Sequence, residues 1–299
     1  IPTDFSLLQG NPMSVEKIRS DEWSEVFFHQ DSQFKLPKCT VACQIYNGNP
    51  EGENKDLFHV ALRELWIKCF NDSIRSLNYL ASMAKVNFSF SGTYRNLQVI
   101  GKCYSQSVAP AFEMFSQSLR KFRQFDDERK FTDAKLKMIK DYKNKLVEAP
   151  FRKAFGVLTQ ILINGKFSYE EYIQAFEKIT WQDFKNFEKN FLNIVRFEWL
   201  MEGNMEAATA VKITEDFESQ FKDIFKPEAL PKTHITKLEP IKITGEKHLL
   251  IEKDIQVAEE NNSCYVQVFQ IGQGFETFGL ANWLAAWLKD EYFEELRTN

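Results

Sequence analysis

The residues able to hold a metal are sparse. The 299 residues contain four histidines, His29, His59, His234 and His248. None is followed three residues later by Glu-His, and no two are close enough to share one helical face. One arrangement for hydrolytic zinc is two imidazoles one helical turn apart with a carboxylate to activate water. The four histidines offer no such set. Cys39 and Cys43 are four apart on an alternating stretch, where they share a face with Val41. Thiols placed that way read as small core residues. Arg297 follows the acidic run Asp290, Glu291, Glu294 and Glu295. That run reads either as a solvated face or as a carboxylate partner for the arginine. Asn71, Asn87 and Asn261 begin Asn-x-Ser matches, a pattern common by chance, and the first two fall in regular elements.

Composition narrows the class. Hydrophobic content is 43%, with 28 phenylalanines, which is ample core for one large domain or about two ordinary ones. Charge is mixed, with a net of −4, and this argues against a nucleic-acid partner. No apolar run approaches the roughly 20 residues that span a bilayer. Five cysteines do not suggest a disulfide framework, so a reducing, cytoplasmic setting is the default. The chain opens on Ile1, and the true N-terminus is expected to lie upstream.

Pro2, Gly10, Pro12 and Asp21-Glu22 make the first thirty residues read as an irregular tail and linker. Cys39, Val41, Cys43 and Ile45 then alternate as a strand. A long helix is expected from about 54 to 84, then a hairpin over 86–104 turning at Ser91-Gly92. From 110 to 193 the pattern is helical. Breaks fall near Asp126-Asp127, at Pro150, at Asn164-Gly165 and at Thr180. Thr180 and Asp183 have capping-box spacing. Val195, Phe197, Trp199 and Met201 form a strand, and a further helix runs to about Phe225. The last strand is expected at Cys264–Ile271. It is followed by a helix with Leu280, Trp283, Leu284, Trp287 and Leu288 on one stripe. The layout is α+β: a mainly antiparallel sheet with helices on one face, followed by the opening strand and helix of a second similar domain. The offset between the strand starts, 264 − 39 = 225 residues, is one domain length. One strand and one helix cannot enclose a core, so the chain is expected to be part of something larger.

Short motifs add a likeness. Ile1-Pro2-Thr3-Asp4-Phe5, Phe34-Lys35-Leu36-Pro37-Lys38, Tyr79-Leu80-Ala81, Asn262-Ser263-Cys264 and Leu296-Arg297-Thr298 occur in an order that resembles the insulin-degrading enzyme and pitrilysin family of zinc metallopeptidases. Gly92 and Gly101-Lys102-Cys103-Tyr104 fit its hairpin. Glu202-Gly203-Asn204 is similar to its His-Gly-Asn turn, with Glu in place of His. The resemblance implies four homologous domains in two halves closing around a peptide chamber. Residues 1–12 would then end the second domain, 13–33 would be the inter-half linker, 34–245 the non-catalytic third domain, and 246–299 an incomplete start of the fourth. Zn2+ would be held elsewhere in the parent by an inverted His-x-x-Glu-His motif, so by this likeness the chain would carry no catalytic residue and no metal ligand. Arg297 would be substrate-binding, because the family places an arginine there over the substrate, with a tyrosine seven residues later. Asn299 departs from the usual lysine. The implied partners are peptide substrates, the missing N-terminal half and the rest of the fourth domain, with no nucleic acid or membrane; self-association is left open. This portion would form chamber wall and be inactive alone. A peptidase-fold partner subunit without activity is the alternative.

Overall fold

The computed structural model describes residues 15–31, 36–48, 56–92, 96–163, 165–235, 240–243, 250–253 and 261–295. Alternation builds its sheet. In β3 (Lys38–Asn47), Cys39, Val41, Cys43 and Ile45 are buried while their neighbours are half-buried. β6 (Ile194–Gly203) buries Val195, Phe197, Trp199 and Met201 on that face, while on the other face Arg196 is also buried and Leu200 and Glu202 are exposed. β5 (Asn96–Tyr104) buries Leu97, Val99 and Cys103, and pairs with β4 (Asn87–Gly92) as the expected hairpin. With β1 (Glu16–Ser20) and β2 (Ser24–Gln30), the order is β1-β2-β6-β3-β5-β4. β7 (Glu228–Ala229) adds to β6. Pairing is antiparallel except at β2–β6 and β6–β7.

The helices of this unit are α1 (Leu57–Ser73), α2 (Arg75–Met83), α3 (Val108–Phe122), α4 (Glu128–Leu146), α6 (Tyr169–Lys178), α7 (Trp181–Asn190) and α8 (Ala207–Phe225). An aromatic cluster joins them to one sheet face. Trp66 of α1 stacks on Phe70 and meets Phe122 and Phe191 edge-on, each at 5.3 Å. Trp199 of β6 meets Phe112 of α3 and Phe217 of α8. The expected breaks at Pro150 and Thr180 are helix starts, and the Thr180–Asp183 capping box forms with both reciprocal bonds.

Three expectations are corrected. The first thirty residues are not uniformly irregular: β1 and β2 belong to the sheet, and Val26 and Phe28 are core. Their signal is masked because Lys17, Arg19, Glu22 and Glu25 look like linker charge, and because β2 pairs in parallel with a strand 170 residues away in sequence. The long helix is two helices. Ile74 leaves helical geometry at φ −102°, ψ 6°, which lets it turn into the core at 6% exposure. The expected strand at Cys264–Ile271 does not form; among the described residues it has no ladder partner, and a strand exists only through its pairing.

A second compact unit comprises 147–164 and 239–299. It contains α5 (Pro150–Leu162) and α9 (Phe275–Phe293). Ile163 bridges to Pro240, and the Gln270 amide bonds the backbone at Ile241 and Ile243. The helix expected at the end is therefore present as α9, with Trp283 and Trp287 stacked and both about two-thirds exposed, at 66% and 65%.

Candidate functional site

The sheet face turned away from the helix core is the candidate surface. Strand alternation aims Phe27, Leu200, Ala42 and Ile100 to that side, and the registers set them in one row across β2, β6, β3 and β5. At about 4.8 Å per strand the apolar row is on the order of 15 Å long. Leu200 is 47% exposed at its centre. One flanking row holds His29, Glu202, Thr40 and Lys102; the other holds Glu25, Glu198, Gln44 and Gln98. Tyr46 Oη donates to Glu198 at 3.3 Å, and the Asn96 amide donates to Gln44. Burial pushes the Tyr46 hydroxyl up to about 12, so it stays a donor. A strip of apolar side chains bordered by amides, hydroxyls and carboxylates suits an extended chain with mixed side chains.

Two ionic networks hold β1 and β2 under this face. Glu25 accepts from Lys17 at 2.8 Å and Lys232 at 2.7 Å. Hydrogen bonds from Lys17 and Lys232 lower its carboxyl to about 2. The lowered folded value means this contribution is complete above the ordinary value of 4.5 and is lost as pH falls from there towards 2. Lys232→Met is expected to raise the midpoint of acid unfolding, with a loss at pH 7 on the order of 1 kcal/mol, since both lysines are largely solvated. An acid titration followed by tryptophan fluorescence checks this, and an unmoved midpoint contradicts it. The second network is deeper. Arg19 donates to Glu218 Oε2 at 2.5 Å and to Thr214 at 3.1 Å, while Trp199 Nε1 donates to Glu218 Oε1 at 2.9 Å.

Gly203 closes β6 at φ +136°. A Cβ there would lie 2.3 Å from the Lys38 carbonyl oxygen and 2.7 Å from Cys39 Cα. Backbone on both sides leaves room only for hydrogen. Gly203→Ala is expected to destabilise by about 2–3 kcal/mol from clash and strained φ. A urea midpoint unchanged from the parent would refute that packing.

The three histidines among the described residues lie on separate elements. His29 is on β2, His59 binds Asp56 Oδ2 at 2.7 Å on α1, and His234 ends a 3-10 turn. His248 and Arg297 lie outside the described residues. Among the described residues no group of three or more His, Cys, Asp or Glu side chains could hold a metal. These residues therefore do not fit a zinc site. Cys39 and Cys43 are buried on one face, as read. Sequence reasoning missed Arg19, Glu218 and the Phe27–Leu200 row. Val26 alternating with Phe28 was the available signal for β2.

Comparison with known proteins decides the family. The model of the "Middle or third domain of peptidase_M16" matches residues 1–175, more than half of the chain. The chain belongs to this peptidase family, and its residues 1–175 match the family's middle domain. It is 24% identical over 282 residues to the A-factor-processing enzyme of Saccharomyces cerevisiae, covering 93% of this chain and 26% of that one. It is 21% identical to the insulin-degrading enzyme of Homo sapiens, covering 90% of this chain and 26% of that one. Among solved structures, pitrilysin superposes with a TM-score of 0.64 at 18% identity, over 75% of this chain and 23% of the other. The M16 fold is thus shared, and the chain spans about a quarter of the length of these relatives.

Proposed function

We propose that this chain is a non-catalytic portion of a zinc metalloendopeptidase that degrades peptides inside a closed chamber. The observation that carries the reading is the coincidence of a middle-domain match with a sheet whose one face is packed by helices and whose other face presents the Phe27–Leu200–Ala42–Ile100 row. In this reading that open face is chamber wall and peptide-contact surface. Residues 13–33 are the inter-half linker carried by β1 and β2, 34–245 the third domain, and 246–299 the start of the fourth. Arg297 holds substrate from that start. Zinc belongs to another domain of the parent, which supports the activity these residues cannot. Five free cysteines support a reducing, cytoplasmic setting. No described helix is long and apolar enough to cross a membrane.

Leu200→Asp in the full-length enzyme tests the wall. A charge in the apolar row is expected to raise KM for a long peptide about threefold or more, with kcat for a short peptide unchanged. Equal kinetics on both substrates would remove the open face from substrate binding.

A further inference from the structure

We infer that Cys39 and Cys103 form a reversible redox pair, closing to a cross-strand disulfide when the protein meets hydrogen peroxide. The two residues are direct partners in the β3–β5 ladder, with side chains on the same face, 3% and 7% exposed. Directly opposite residues hold their Cβ atoms about 4.5–5.5 Å apart. A disulfide wants about 3.5–4.5 Å, so closure needs a shift of roughly 1 Å. Cys39 is the second residue of β3 and Cys103 the next-to-last of β5, so the pair sits at the end of the ladder. The Ser105 N–H bonds the Pro37 carbonyl at 3.1 Å just outside it. By ladder alternation this makes Cys39–Cys103 a hydrogen-bonded pair, the wider kind. Its disulfide is therefore strained and easily reduced, as suits a switch rather than a permanent staple.

The surroundings separate this pair from the other thiols. Cys39 Sγ lies 3.4 Å from Ser105 Oγ, and its strand end is pinned by Asn204 N–H to Lys38 C=O at 3.2 Å. Burial raises the Cys39 thiol, a push that Ser105 and the Asn204 backbone partly oppose, and burial pushes the Cys103 thiol up to about 11, so Cys39 is the attacking sulfur. Cys43 faces Val99 and Trp199 instead and has no cysteine opposite. The chemistry balances. One thiolate attacks peroxide, breaking O–O and leaving a sulfenic acid and hydroxide. The second thiol displaces that oxygen as the S–S bond forms, so two S–H bonds and one O–O bond yield a disulfide and two waters. The Glu202-Gly203-Asn204 turn rests on Cys39, so the state of the pair is felt at one border of the open face.

The test uses the whole chain carrying Cys264→Ser, because Cys264 is exposed and would cross-link copies. After peroxide, non-reducing peptide mapping should show a single Cys39–Cys103 link that dithiothreitol reverses. Cys103→Ser should give no link under the same exposure. If that variant does not fold, the map of the chain that keeps both cysteines decides alone. Recovery of both cysteines as alkylatable thiols, or as sulfinic acids without a link, would overturn the inference.

Discussion

Arg19→Ala is expected to destabilise the protein by about 3–5 kcal/mol, a large effect for a residue in a segment that reads as linker. Arg19 supplies the cation to Glu218, whose side chain is only 2% exposed. Removing it leaves a carboxylate in the core beside Trp199 with one donor too few. Thr214 loses its guanidinium partner as well. The pH dependence identifies the mechanism. Burial raises the Glu218 carboxyl above its ordinary 4.5, opposed by Arg19. A raised acid destabilises increasingly as pH climbs from its unfolded value through its folded one. Without Arg19 the folded value climbs further, so the variant should lose more stability at pH 8 than at pH 5. Urea midpoints at the two pH values measure this. Equal losses would mean that Arg19 contributes only packing. Arg19→Met combined with Glu218→Gln should recover part of the loss, because no buried charge is then left unpaired.

Trp66→Ala should cost a similar amount, about 3–5 kcal/mol, for a different reason. Trp66 is 1% exposed at the junction of α1, β4, α3 and the end of α7. Its truncation opens a cavity among rings that cannot collapse. Nε1 of Trp66 has no hydrogen-bond partner among the described residues. Trp66→Phe therefore forfeits area but no hydrogen bond, and about 1–2 kcal/mol is expected. Trp199→Phe removes the donor to Glu218 and should cost about 1 kcal/mol more than Trp66→Phe. Thermal unfolding of the three variants ranks them; Trp199→Phe milder than Trp66→Phe would contradict the network.

These two residues also mark what a sequence can and cannot show. Trp66 lay on a helical stripe and was legible as core, because its neighbours are spaced by one helical turn. The strands at Cys39–Ile45 and Val195–Met201 were legible by period two, and the helix starts at Pro150 and Thr180 by local cap chemistry. Arg19 was not legible, since Glu218 is 199 positions away and nothing local distinguishes a paired arginine from a solvated one. β2 was obscured because parallel pairing leaves no hairpin signal. The break at Ile74 was invisible because the apolar stripe continues through it. The strand expected at Cys264–Ile271 failed for the opposite reason: its pattern is right, but alternation is only half of a strand and the ladder partner is the other half. The open face was hidden too. Phe27, Leu200, Ala42 and Ile100 are far apart in the chain and become one row only through the registers of four strands.

The absence of a zinc-ligand set from the sequence and from the described residues leads to the most direct test. The purified chain, with zinc added, is incubated with a quenched fluorescent peptide. The account predicts no zinc-dependent cleavage above buffer, while the chain remains folded by circular dichroism. Zinc-dependent turnover that a chelator abolishes would place catalysis in this chain and contradict the proposal that it is a non-catalytic portion of a peptidase.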